Sequence, residues 1–274
     1  MTREEKLLAL IDKSERGIEI GPSHSPIAPK SLGFRVTTVD TLSKEGLLEK
    51  YKGHGVKLEN IEDVDFVWRG ERYPALIGES AKFGWILASH VIEHTPDIIG
   101  FLQDCEELLS ETGVLSMAVP DKRFCFDHFR PISGLARMLD CHYSRTSNHT
   151  AGSIVEFMLN SVSKGDRIAW SSGQVGDFKF LCDLPSVRAH LEQALSAPVN
   201  LDVHAWCFTP ASFRLLVHDL NLLGLVKLQP VQFFPTEGHE FFIALRKSTD
   251  APRENRLALL NDVLAEASGG RDHG

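Results

Sequence analysis

Along the first 120 residues the apolar positions alternate between helical spacing and strand spacing. Leu7, Leu8 and Ile11 recur at helical spacing behind Thr2 and Glu5, a capping-box pair whose side chains satisfy each other's backbone amides. This predicts a short amphipathic helix ending near Gly17. Ile18-Glu19-Ile20 reads as a strand that runs into the breaker Gly21-Pro22. Phe34–Val39 alternates, is rich in β-branched residues and ends in Asp40, which predicts a second strand. Leu42–Tyr51 reads as a helix closed by Gly53, Val64–Trp68 as a third strand and Trp85–Ala88 as a fourth. Asp97 is placed to cap a helix whose buried stripe is Ile98, Phe101, Leu102, Cys105, Leu108 and Leu109, with Gly113 as its closing glycine. Val114–Val119 is the fifth strand, stopped by Pro120. Such regular alternation of helix and strand is the signature of a doubly wound parallel sheet.

Residues 131–200 break this rhythm. Ile154–Val162 and Pro185–Leu195 read as helices with Gly/Ser-rich joints, so this stretch is expected to be a helical lid inserted in one domain spanning residues 1–274. Thr209-Pro210 then supplies a cap and a first-turn proline, Phe213, Leu216, Val217 and Leu220 follow at helical spacing, and Gly224 ends the helix. Leu225–Phe234 and Glu240–Leu245 are joined by a connection short enough for an antiparallel pair. Residues 252–267 read as a last amphipathic helix, and Ser268–Gly274 as a frayed tail.

Composition narrows the function classes. The 274 residues are 43% hydrophobic and 24% charged, ordinary for a globular chain that builds its own core. A net charge of −8 without any Lys/Arg block argues against nucleic acid or an anionic membrane as partner. No 18-residue apolar run and no signal-like N-terminal stretch is seen, and the five cysteines are odd in number and form no CxxC pair; a reducing cytoplasm is the expected setting. Histidine stands out, with twelve copies, several beside acids.

The first chemical motif is Ile18-Glu19-Ile20-Gly21-Pro22-Ser23. In open parallel sheets ligands bind beyond the carboxyl ends of the strands, and glycine there lets the backbone approach closely. Asp40 ends the next strand 19 residues after Gly21, which suits a carboxylate accepting from ribose hydroxyls. The Gly-Pro-Ser-His-Ser-Pro loop lacks the later glycines that a pyrophosphate needs. A nucleoside cofactor without a pyrophosphate fits better, and S-adenosylmethionine is one.

With these segments, and with Ser89-His90-Val91-Ile92-Glu93-His94-Thr95-Pro96-Asp97, Thr112–Asp121 and Phe208–Leu245, the chain resembles the class I S-adenosylmethionine-dependent methyltransferases, specifically those related to type 11. The resemblance spans about residues 1–130 and 205–247. It implies a mostly parallel seven-stranded Rossmann-like sheet. It implies that Glu19, Gly21 and Asp40, with Pro22 and Ser23 of the same loop, serve the cofactor, and that Ser89 and His90 line its methionine end. Asp65 or Trp68 would lie beside the adenine, although ordinary sheet packing explains Trp68 as well. The implied activity is methyl transfer from S-adenosylmethionine; the acceptor does not carry over from the resemblance, and an oxygen on a small molecule or sugar is the preferred reading.

Three further groups bear chemistry. His90, Glu93 and His94 are open to three readings: a metal set in a metal-assisted enzyme, a general base at His94, or a hydrogen-bonded turn. Asp121, Asp127 and His128, on the loop after the fifth strand, are placed to orient or deprotonate an acceptor hydroxyl. His204 enters from the lid side, beside Trp206 and Phe208, which read as core. A cofactor-binding module without chemistry is the remaining alternative. His24, His90, His94, His128 and His204 are expected at one edge of the sheet, with catalytic roles assigned to His94, His128 and Asp121.

Overall fold

Trp85 and Leu87 face one side of their strand, Ile86 and Ala88 the other, and all four are buried, so this strand lies at the centre of a sheet covered on both faces. The structure is a computed structural model and describes residues 1–197 and 201–268. In chain order, α1 (Arg3–Leu7), β1 (Arg16–Ile20), β2 (Arg35–Asp40), α2 (Lys44–Tyr51), β3 (Phe66–Val67), α3 (Tyr73–Ile77), β4 (Phe83–Ser89), α4 (Ile98–Leu108) and β5 (Leu109–Pro120) build the first part. There follow α5 (Leu135–Tyr143), α6 (Ala151–Asn160), β6 (Val162–Lys164), β7 (Phe178–Phe180) and α7 (Leu184–Ser196). The chain returns through α8 (Pro210–Leu222), β8 (Leu228–Glu237), β9 (Glu240–Lys247) and α9 (Arg256–Ala267).

The seven-stranded sheet runs β3-β2-β1-β4-β5-β9-β8. β1 to β5 are parallel, while β9 pairs antiparallel with β5 and with β8. The larger core cluster, on one face, joins Ile18, Ile20, Ile86, Leu115 and Val119 to α4 and α8; the other face packs Trp85, Leu87, Ala118 and Phe242 beneath Leu7, Ile27 and Phe34. Gly17 makes room for Trp85, whose ring a Cβ at that position would enter at 1.9 Å.

The expected mostly parallel doubly wound sheet is present, and several local expectations shift. The first helix stops at Leu7 and gives way to turns, in which the Ile11 amide donates to the Leu8 carbonyl and the Ser14 amide and hydroxyl donate to Asp12 Oδ1. Gly113 does not close α4. That helix passes straight from Leu108 into β5, where a Cβ at Gly113 would lie 2.8 Å from the Phe83 carbonyl oxygen. β3 shrinks to two residues. The inserted stretch holds α5 besides the two expected helices, and also an antiparallel β6–β7 pair. Ile154, Met158, Val187 and Val203 give it an apolar cluster of its own. Ser268 caps α9, and the rest of the expected tail falls outside the described residues. No helix among the described residues is long and apolar enough to cross a membrane.

Candidate functional site

Pairing register brings the chemical motifs to one edge. Ile20 pairs with Val39 and Ala88, and Ser89 with Ala118, so the turns after β1, β2, β4 and β5 emerge side by side. Gly21 has φ +68°, donates its amide to the Val39 carbonyl at 2.8 Å, and would clash with Val91 Cγ2 if it carried a Cβ. Asp40 closes this loop: Oδ2 accepts from the Ser23 amide at 2.9 Å and Oδ1 from the Thr41 amide at 2.7 Å. Each oxygen keeps lone-pair capacity for a hydroxyl donor. Pro22 is buried, and Ser23, itself at φ +53°, donates its hydroxyl to Tyr51 Oη at 2.7 Å.

Glu19 is buried, and its two oxygens accept from the amides of Ile27 and Ala28 at 2.6 and 3.0 Å, so it anchors the loop that follows β1. Burial raises its pKa to about 7 against the lowering effect of those amides. Asp65 is occupied by Lys30 and Thr38, and Trp68 stacks on Tyr73 at 5.7 Å, so sheet packing accounts for Trp68.

Ser89 and His90 end β4. His90 stands at φ +53°, a conformation uncommon for a residue with a Cβ. Its Nε2 lies 2.8 Å from Glu240 Oε2 and its Nδ1 3.4 Å from Glu93 Oε1. Burial would lower the His90 pKa, but Glu240 and Glu93 together raise it to about 9. Arg3 spans the same corner, donating to Glu240 Oε1 at 2.7 Å and to Ser89 Oγ at 2.5 Å. Arg3 and Glu240 escape sequence reasoning because they lie at opposite ends of the chain.

Glu93 is fully buried, and neither of its carboxylate oxygens accepts a hydrogen bond. Three imidazoles surround it. His94 Nε2 and His204 Nε2 each stand 3.9 Å from Oε1, beside the His90 contact. His204 Nδ1 is 2.5 Å from Asp127 Oδ2, and Asp127 Oδ1 accepts from the buried Arg130 at 2.8 Å. His94 Nδ1 lies 3.2 Å from Asp202 Oδ1 but off line for a hydrogen bond. Burial opposes the charge on His94, and Asp202 with Glu93 raises its pKa. His149, from the insertion, is pushed down to about 4 by burial and then by the nearby His94.

Asp121 and His128 do not join this group. Asp121 is fully buried; it accepts from Arg123 at 2.5 Å and from the Thr236 hydroxyl at 2.6 Å. Those contacts pin the turn after β5 to β8 and leave no open face for an acceptor. His128 Nδ1 sits 2.8 Å from the Arg123 carbonyl, and its ring stacks on Phe178 at 4.9 Å. Nδ1 therefore carries the proton and Nε2 the lone pair. Burial, then Lys122 and Lys164, lower the His128 pKa. His24 rests against Tyr51, away from the Glu93 group. Trp206 and Phe208 are core, as expected. Of the five histidines expected at one edge, three converge on Glu93.

An open cleft of about 740 Å³ is lined by Arg72, Glu107, Glu111 and Lys247. It lies at the amino end of β5, the opposite edge from all of these groups.

No family model matches the chain. A curated relative, the ubiquinone biosynthesis O-methyltransferase of Methylocella silvestris, is 31% identical over 104 residues, which are 38% of this chain and 38% of the relative. The match thus spans under half of that relative's length. Among solved structures, one named as a Zn-dependent alcohol dehydrogenase from Rhodobacter sphaeroides is similar at TM-score 0.47 and 13% identity, covering 89% of this chain and 88% of that one. The 1,6-didemethyltoxoflavin-N1-methyltransferase of Burkholderia thailandensis is similar at TM-score 0.39 and 12% identity, over 89% of this chain and 76% of that one. Mitomycin 7-O-methyltransferase follows at TM-score 0.40 and 11% identity, over 89% and 53%. All three scores are low, and none bears on activity. The strand order with its reversed β9 is a doubly wound, mostly parallel Rossmann-like sheet, and a segment of 104 residues is similar to part of a methyltransferase.

Proposed function

We propose that the chain transfers a methyl group from S-adenosylmethionine to a hydroxyl of a small molecule or sugar. The observation that carries this reading is the link between Asp40 and the Gly21–Ser23 turn, made by the Ser23 amide at 2.9 Å. It sets a left-handed glycine and a carboxylate with spare lone pairs side by side at adjacent strand ends, where a nucleoside fits. The residues fit the cofactor: Gly21 leaves open the space that a Cβ would fill, Asp40 takes the ribose, and Ser89 with His90 takes the methionine end. When bound, the cofactor supplies a methyl group already activated by its sulfonium.

The protein's part is then alignment and proton removal. Holding the acceptor oxygen in line is a proximity effect worth several kcal/mol, about 7–11 at best. An alcohol also has to lose a proton. Of the two expected bases, His128 suits the role by geometry, since the Arg123 carbonyl holds Nδ1–H and leaves Nε2 to accept. His94 stands against Glu93 and Asp202 and is given a different role below. Asp121 holds the turn that carries His128.

Titration calorimetry with S-adenosylmethionine and its demethylated product, followed by transfer of labelled methyl to a panel of sugars and phenols, tests the reading. Binding that Asp40→Ala weakens, with label moving to a hydroxyl, is expected. Binding without transfer to any acceptor would favour a cofactor-binding module, and no binding would remove the reading altogether.

A further inference from the structure

Glu93 presents an unsolved electrostatic problem. A carboxylate taken fully out of water costs several kcal/mol unless hydrogen bonds or a cation compensate it. Neither Glu93 oxygen has a hydrogen-bond donor, although its backbone carbonyl accepts from Ala205 and Trp206 at 2.7 and 3.1 Å and so fixes it in place. Three imidazole nitrogens face Oε1 instead, His90 Nδ1 at 3.4 Å and the Nε2 atoms of His94 and His204 at 3.9 Å each.

The state of those nitrogens follows from what holds the rings. Asp127 receives the His204 Nδ1 proton at 2.5 Å, and Arg130 fixes Asp127. The lone pair of His204 Nε2 is thereby left toward Glu93. On the other side, His94 has Asp202 near Nδ1 and Nε2 toward Glu93. Each ring thus has a carboxylate at its far nitrogen, which is how ligating histidines are oriented at metal centres. The three inner atoms lie within 4.8 Å of one another. A tetrahedral ion about 2.0–2.2 Å from each would bring them to roughly 3.4 Å apart, a modest closure for side chains held only from behind.

We propose that Glu93, His94 and His204 bind one divalent first-row transition ion, zinc by the character of the ligands, with Asp127 orienting His204. Two imidazoles and one carboxylate suit a borderline ion, and the absence of a thiolate disfavours a soft one. Three protein ligands leave a fourth position open. His90 stands outside the set: its Nδ1 is 3.4 Å from Glu93 Oε1, but the atoms that all lie within 4.8 Å of one another are those of Glu93, His94 and His204. The alternative occupant is protons alone, which would make the group an imidazolium–carboxylate cluster.

The proposal is independent of methyl transfer, and so is its test. Protein made without a polyhistidine tag is stripped with chelator, then titrated with ZnCl2 against a chromophoric competitor, and with CoCl2 for its visible spectrum. One equivalent of zinc at micromolar affinity or tighter, a rise in Tm and tetrahedral cobalt bands are expected. Glu93→Gln and His204→Gln should weaken zinc binding at least about 100-fold, and Asp127→Asn about 10–100-fold. His54→Gln, at an exposed site, should leave it unchanged. Because Glu93 and His204 are buried, the half-exposed His94→Gln, checked by circular dichroism, keeps the test open if those variants fail to fold. Failure to bind one equivalent, or one equivalent held as tightly by folded His94→Gln as by the parent, overturns the site and leaves the proton cluster.

Discussion

His204 Nδ1 and Asp127 Oδ2 meet at 2.5 Å, 77 residues apart in the chain and both buried. This contact ties the turn after β5 to the segment that leads into α8. Asp127 also neutralises Arg130, which is 1% exposed. Replacing Asp127 by Asn leaves a buried guanidinium without its nearest counter-charge. Breaking one side of a buried pair costs about 3–5 kcal/mol. The unfolding midpoint of Asp127→Asn in urea should fall accordingly. A midpoint within experimental error of the parent would mean that Glu156 alone, at 3.1 Å from Arg130, is sufficient.

Gly21→Ala should injure the cofactor loop more than the fold. A non-glycine residue at φ +68° costs about 1–2 kcal/mol, and the new methyl group would also press on Val91. We expect a Tm drop of a few degrees and at least tenfold weaker binding of the demethylated cofactor in calorimetry. Equal affinity would mean that the turn has no part in binding.

Asp40→Ala removes the anchor for the Ser23 amide and, in the proposed function, the carboxylate offered to the ribose. A hydrogen bond to a charged group contributes about 1.5–3 kcal/mol, so cofactor affinity should fall by about 10–150-fold. Asp40→Asn, which keeps one acceptor, should lose less. If the two variants bind alike, the retained carbonyl acceptor contributes nothing and the loss belongs to the charge.

Stability should carry the signature of Glu19. The folded chain holds this proton more tightly than the unfolded one, with a pKa raised from 4.5 to about 7 by burial. Stability from this group is therefore full below about pH 4.5, declines as the pH rises toward 7, and is constant above. The decline is on the order of 3 kcal/mol. Glu19→Gln cannot titrate, so the difference in unfolding free energy between parent and variant should shrink over that window. A difference that does not vary with pH would place the titration elsewhere.

His128→Gln should lower kcat by about 10²–10⁴-fold if the acceptor is an alcohol, with little change in cofactor affinity. Its lowered pKa predicts parent activity already developed below the usual histidine range. An unchanged rate on an acidic phenol and a lost rate on an alcohol would locate the effect in proton removal.

Much of the frame was legible because it is written in local chemistry. Thr2 with Glu5, Asp97, and Thr209 with Pro210 each cap the helix expected of them, since a cap needs only neighbours three residues away. The β-branched and apolar runs found β1, β2, β4, β5, β8 and β9. What escaped depends on tertiary partners. Asp121 looked available on a polar loop, yet Arg123 and Thr236 use it up. The anchoring of Glu19 by the Ile27 and Ala28 amides could not be read from the strand-end pattern that singled it out. The Glu93–His94 pair was visible as a motif, whereas its third member, His204, arrives from beyond the insertion, and no spacing rule connects residues so far apart.

The Arg3–Glu240 pair joins positions 237 residues apart, and through Ser89 it borders the corner where His90 stands. That has a consequence for the order in which the molecule is made. During synthesis the first strands can pair locally, but Arg3 has no counterpart until β9 has been translated and has inserted beside β5. Closing so long a loop is entropically slow, and it returns little until the final hairpin docks. The corner proposed for the cofactor is thus the last part of the sheet to be completed. A nascent chain stalled before β9 would own every residue of the Gly21 loop and still lack a finished place for a ligand.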